Sequence, residues 1–200
     1  MLRNYSPLPL LPLPSSTGYA QPSQLAPDRV QLDSPAVDAM TDLTRVTAVI
    51  VLAGDTADEA HRRMVQRGVR LLLVVDQDRK ILGVITANDA SGEKPVQAAA
   101  QQGIHRDEVL VRHIMQPCAG LRALDLEAVR VAKVGHVVAT LKQLGRQHAL
   151  VVERSGFGDK NSVRLRGIFS TTQIVRQLGM TIQTDAVANT FAEIEAQLSR

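Results

Sequence analysis

Gly83 to Ala90 read GVITANDA, an apolar strand running into Thr86 with Asp89 three residues later. Threonine and aspartate at that spacing can hold a nucleotide at a helix start. They can equally cap the helix by satisfying its first free N–H groups. The stretch gains weight from a second one downstream. LRGIFSTTQI (Leu165–Ile174) repeats the pattern of ILGVITANDA (Ile81–Ala90), with serine for threonine and glutamine for aspartate.

The repeat extends outward from these two stretches. VRLLLVVD (Val69–Asp76) is matched by RQHALVVE (Arg146–Glu153), and such continuous apolar runs predict strands buried on both faces. Ahead of the first run, DTADEAHRRMVQRG predicts a helix with a capping box from Thr56 and Glu59. Its apolar stripe is Ala57, Ala60, Met64 and Val65, and Gly68 stops it. Ahead of the second, KVGHVVATLKQLG carries Val134, Val137, Val138, Leu141 and Leu144. It stops at Gly145, 77 positions after Gly68. VDAMTD (Val37–Asp42) has its counterpart in VRHIMQP (Val111–Pro117), Met115 lying 75 positions after Met40. Ser34 and Pro35 predict the N-cap and first residue of a short leading helix, and VTAVIVLAG (Val46–Gly54) predicts a strand closed by a turn. Between the last two strands the copies differ. Glu153 to Gly167 spans 14 steps against 7 from Asp76 to Gly83, and the extra SGFGDKNS (Ser155–Ser162) predicts a hairpin loop.

The organisation expected is a Pro-rich flexible arm over 1–33, one unit over 34–94, a linker region over 95–108, a second unit over 109–180 and an amphipathic helix over 181–200. The linker contains a short helix from Pro95 to Gln102 stopped by Gly103. The last helix lines up Val187, Phe191, Ile194 and Leu198, to pack on its own module or against a partner.

Composition narrows the function. With 44% apolar residues in 200, the chain can bury a sizeable core as one domain or two small packed ones. Aromatic residues make up only 2% and the net charge is +3, with basic residues dispersed. That argues against nucleic acid as a partner, since stacking platforms and basic runs are missing. The single cysteine, Cys118, excludes an intrachain disulfide and points to a reducing compartment. No apolar run reaches the roughly 20 residues of a membrane span. Four prolines within Pro7–Pro14 argue against a signal helix, so a cytoplasmic location is expected with no membrane contact. His61, His105, His113 and His136 share no metal-ligand spacing with one another or with Cys118. No nucleophile–histidine pattern, Walker loop or dinucleotide fingerprint occurs, so neither a metal site, nor a required cofactor, nor enzyme activity is expected.

Asp38, Met40, Thr41, Gly68, Val74, Val75, Asp76, Gly83, Thr86 and Asp89, in that order, resemble a cystathionine-beta-synthase (CBS) domain. The second copy offers Met115, Gly145, Val151, Val152, Glu153, Gly167, Ser170 and Gln173. Two such units in tandem resemble a Bateman module, over about Ser34 to Gly179. Leu73 and Leu150 stand where the family often has proline, and the second copy lacks both the Met-Thr pair and the terminal aspartate. The resemblance implies an α/β (α+β) fold, with two pseudo-twofold related β-α-β-β-α units packed sheet to sheet and two clefts between them. It further implies a homodimer and a free-standing regulatory module. Such a module binds an adenosine-type ligand (AMP, ADP, ATP or S-adenosylmethionine) and acts on an effector protein. The alternative is a ligand-free dimerisation scaffold.

Thr86 and Asp89 are the first candidate nucleotide-binding residues. The hydroxyl and the helix N–H groups suit a phosphate, and a carboxylate accepts two hydrogen bonds from a ribose diol. Ser170 and Gln173 are the second pair, expected to form a capping box, although an amide lacks the charged double acceptor. Arg70 and His148, just ahead of the two buried strands, are candidates to face phosphates, against the simpler reading of a solvated arginine and a packed histidine.

Overall fold

The computed structural model describes residues 29–154 and 163–179. The arm up to residue 28, the Ser155–Ser162 loop and the helix expected over 181–200 lie outside the described residues. Within them, the chain forms two four-stranded sheets. The first runs β2 (Ile50–Leu52), β3 (Leu71–Val75), β4 (Ile81–Thr86), β5 (Gln116–Pro117), and the second β1 (Thr41–Asp42), β8 (Val163–Ser170), β7 (His148–Arg154), β6 (Ala123–Asp125). Each contains one parallel pair at an edge (β2–β3 and β6–β7) and two antiparallel pairs.

The helices cover the outer faces: α1 (Ala57–Arg67), α2 (Ala87–Ser91), α3 (Lys94–Gln102), α4 (Val111–Ile114), α5 (Leu126–Val131), α6 (Val134–Leu144) and α7 (Thr171–Gln177). Helices α1 and α6 both end where expected, at Gly68 (φ 63°) and Gly145 (φ 59°), a left-handed cap that glycine adopts without a Cβ clash. Thr56 caps α1 by accepting from the Glu59 N–H, but the Glu59 carboxylate turns to Arg63 instead of closing the box. Val65, placed by the pattern on the apolar stripe, is 68% exposed, so the buried face is Ala57, Ala60 and Met64 alone. None of the described helices is long and apolar enough to cross a membrane.

Strand β3 is buried along its whole length, and its pleat divides it between two cores. Leu72 and Val74 face α1 and α2, whereas Leu71 and Leu73 meet Leu150, Leu165 and Ile168 of the other sheet. The sheets therefore pack against each other, as the apolar runs required.

The leaders are exchanged, which the repeat does not disclose. β1 precedes the first unit but pairs with β8 of the second, while β5 precedes the second and pairs with β4 of the first. Ala36 and Ala39, on a 3-10 turn ahead of β1, lie in the second core, and Val109, Val111 and Ile114 lie in the first. Matching backbone bonds fix both crossings. The Ala57 N–H donates to Val109 O and the Val111 N–H to Asp55 O, each at 2.8 Å. At the related places the Val134 N–H donates to Ser34 O and the Ala36 N–H to Ala132 O, each at 2.9 Å. The expected Ser34 cap is corrected here. Its hydroxyl accepts from the Gln31 N–H behind it, and the turn at Ala36–Ala39 has no side-chain cap.

Candidate functional site

Each crossing brings a leader strand beside the helix that follows the central hairpin, and each leaves a cavity. The two cavities differ sharply. The one beside β5 and α2 has a volume of about 200 Å³ and is lined by Thr86, Asp89, Gln116 and His148 over an apolar floor that includes Leu71 and Leu150. The one beside β1 and α7 has about 770 Å³ and is lined by Met40, Thr41, Asp42, Arg45, Arg130, Arg166 and Gln173, among others.

In the smaller cavity Asp89 is only 5% exposed and its carboxylate is taken. One oxygen accepts from the Thr86 N–H (2.9 Å) and hydroxyl (2.6 Å), closing a full capping box. The other accepts from Lys94 Nζ at 2.5 Å. Burial opposes the charge, but the bonds from Lys94 and Thr86 outweigh it and hold the carboxyl below its ordinary value. His148 lines the same cavity. Burial, helped by the nearby Arg70 charge, pushes its imidazole from 6.5 down to about 4, so it is neutral at physiological pH and supplies no cation to a phosphate. Arg70 reaches Asn88 Oδ1 at 3.3 Å on the exposed rim. Strand register also separates these two residues. His148 pairs with Ser170 as Leu71 pairs with Thr86, so the counterpart of Arg70 is Gln147. Backbone carbonyls agree, Arg70 O accepting from the Ala87 N–H and Gln147 O from the Thr171 N–H, both at 2.9 Å.

The capping box expected from Ser170 and Gln173 is absent. Ser170 makes no side-chain cap, and Gln173 turns to the exchanged leader, where its Oε1 accepts from the Thr41 hydroxyl at 3.0 Å. Gln173 thus lines the larger cavity, whereas Ser170 lines neither. Asp42 accepts from the Thr44 N–H (2.8 Å) and hydroxyl (2.7 Å) and lies 2.5 Å from Arg166 Nη1. Burial works against this charge too, yet the Thr44 bonds and the Arg166 guanidinium bring the carboxyl to about 2. The pair is inward-facing, with side chains 15% and 19% exposed.

The sequence reading missed Arg45, Arg130 and Arg166 as site residues. Arg130 sits on α5, an element inserted between β6 and α6 with no counterpart in the first half. Its signal was Asp125 ahead of Leu-Glu-Ala, an N-cap that accepts from the Glu127 N–H at 3.0 Å.

Residues 32–93 match the family model of the CBS domain. None of the curated proteins compared matches the sequence. Among solved structures, the chain is similar to an uncharacterized conserved protein from Pyrococcus horikoshii, at 20% identity and TM-score 0.52, over 78% of this chain and 100% of that one. It is also similar to CBSX2 in complex with AMP, at 18% identity and TM-score 0.50, over 84% of this chain and 99% of that one. At such identities the likeness is one of fold. Residues 32–93 thus match a CBS domain in sequence, and the described chain has the fold of paired CBS domains, the Bateman arrangement.

Proposed function

We propose that this chain is a regulatory module that works as a homodimer. It takes one adenosine-type ligand in the larger cleft and passes its occupancy to an effector protein. The observation that carries the proposal is the contrast between the clefts. The larger, at about 770 Å³, falls within the 300–1,000 Å³ typical of small-molecule sites, whereas the smaller, at about 200 Å³, falls below it. The larger also joins the first leader (Thr41, Asp42, Arg45) to the second half (Arg130, Arg166, Gln173), so a ligand there bears on how the two are held together. The solved structure of CBSX2 with AMP supports the choice of ligand class by likeness of fold. Differential affinity for two placements of the leader is the means by which occupancy becomes a signal.

Titration calorimetry with AMP, ADP, ATP and S-adenosylmethionine tests this, with saturable binding at one site per chain expected. Absence of binding at millimolar concentration from well-folded protein overturns it. That outcome favours the scaffold, a reading for which Asp89 and Gln173 speak, since the Asp89 carboxylate and the Gln173 Oε1 already accept from within.

A further inference from the structure

We infer that the ligand of the larger cleft is an adenosine polyphosphate, selected over a monophosphate or a sulfonium compound by Arg29, Arg45 and Arg130. This rests on the reading of that cleft as the ligand site. Four arginines line it against two aspartates, Asp38 and Asp42. Arg166 and Asp42 form an inward ion pair, and the other lining charges are Arg29, Arg45 and Arg130 against the exposed Asp38.

Those three come from separate elements. Arg29 is carried on a segment anchored by Val30, which is 6% exposed in the second core and whose N–H donates to Gln177 O at 3.1 Å. Arg45 follows β1, and Arg130 lies on α5. Their ties are weak. Arg45, 84% exposed, stands 3.8 Å from Asp42, and Arg130 makes a solvent-exposed pair with Glu127 one turn earlier. Exposed pairs of this kind contribute little and exchange readily, and a guanidinium meets phosphate oxygens with two parallel bonds.

The pseudo-twofold supplies an internal comparison. On the first half Leu82 stands where the second half has Arg166, and the cavity of about 480 Å³ beside Leu82 carries Asp55, Asp76 and Arg112. The positive wall belongs to the second half alone, because Arg130 lies on α5, an element the first half lacks. A positive wall favours ligands in the order of their negative charge and disfavours a sulfonium cation.

The test is calorimetry on the full chain with AMP, ADP, ATP, S-adenosylmethionine and inorganic tripolyphosphate, repeated for Arg45→Gln and Arg130→Gln. The inference expects ATP to bind at least roughly tenfold tighter than AMP and tripolyphosphate to compete with ATP. Each variant should weaken ATP about tenfold, the loss of one charged hydrogen-bonding group, with far less effect on AMP and an unchanged melting temperature. If AMP or S-adenosylmethionine binds as tightly as ATP, or the variants weaken AMP and ATP equally, the inference fails while the ligand-site reading stands. If none of the adenosine compounds binds, both fail.

Discussion

Gly83→Ala tests the exchange of leaders directly. A Cβ at residue 83 would press into the Gln116 carbonyl oxygen and lie 3.0 Å from its carbonyl carbon and 3.1 Å from Pro117 Cα. All three atoms are backbone of β5, so no rotamer change relieves the overlap. The Gly83–Pro117 and Val84–Gln116 pairings must open instead. At Gly167 the added Cβ would press on Met40 Sδ and lie 2.7 Å from its Cγ, the far part of a side chain with three rotatable bonds. Without a crossing strand, glycine to alanine inside a strand is favourable by about 0.5–1 kcal/mol. Overpacking a rigid neighbour costs about 1–3 kcal/mol, and displacing β5 also uncovers Ile114 and Val111 of the first core. We expect a net loss of about 3 kcal/mol for Gly83→Ala and about 1 kcal/mol for Gly167→Ala. For a chain of this size the first corresponds to a fall in melting temperature of roughly 6–12 °C. Urea and thermal unfolding followed by circular dichroism measure both. A neutral or stabilising Gly83→Ala, or equal losses at the two glycines, would refute the reasoning.

Two further outcomes follow from the smaller cleft. Asp89→Ala removes a capping box and strands Lys94, so it should lower stability by about 2 kcal/mol while leaving nucleotide affinity within about twofold; abolished binding with an intact fold would restore Asp89 as the ligand residue. His148 binds a proton at 6.5 in the unfolded chain but only at about 4 in the folded one. The unfolded state therefore holds more protons between these values, and stability present above pH 6.5 is lost as pH falls toward 4, by about 3 kcal/mol in all. His148→Gln should flatten that limb of a stability–pH profile; an unchanged limb assigns it elsewhere.

The fold was legible where local chemistry and tertiary packing ask for the same residues. Gly68 and Gly145 mark left-handed helix ends, and LLLVV is apolar throughout because both its faces meet a core. The exchange of leaders was not legible. β1 and β5 are two residues long, and a strand that short carries no pattern to say which sheet it joins. Nor does sequence reveal which polar groups are already satisfied. Asp89 reads as either a helix cap or a ligand carboxylate until Lys94 is seen to take its second oxygen, and Ser170-Thr-Thr-Gln reads as a cap until Gln173 is drawn to a threonine 132 positions away. The one-residue offset between Arg70 and His148 is hidden in the sequence for a related reason. Both precede a hydrophobic run, but only strand register shows that the second belongs inside it.

The two glycines also separate stability from ligand binding, and this gives the decisive comparison. Gly83 is overlain by the leader that closes the smaller cleft, whereas Gly167 is overlain by Met40, which lines the larger. Met40, displaced by a methyl at residue 167, has the larger cavity beside it to move into, and Thr41 next to it holds Gln173. Gly167→Ala should therefore weaken the nucleotide by roughly tenfold at little cost to the fold, because occupied volume and a shifted leader oppose the ligand directly. Gly83→Ala should do the reverse, losing stability while keeping affinity as long as the protein stays folded. Calorimetry below the melting transition of each variant reads the two effects independently. If the milder variant binds normally and the harsher one does not, the ligand lies in the cleft beside Asp89, and the larger cavity is not its site.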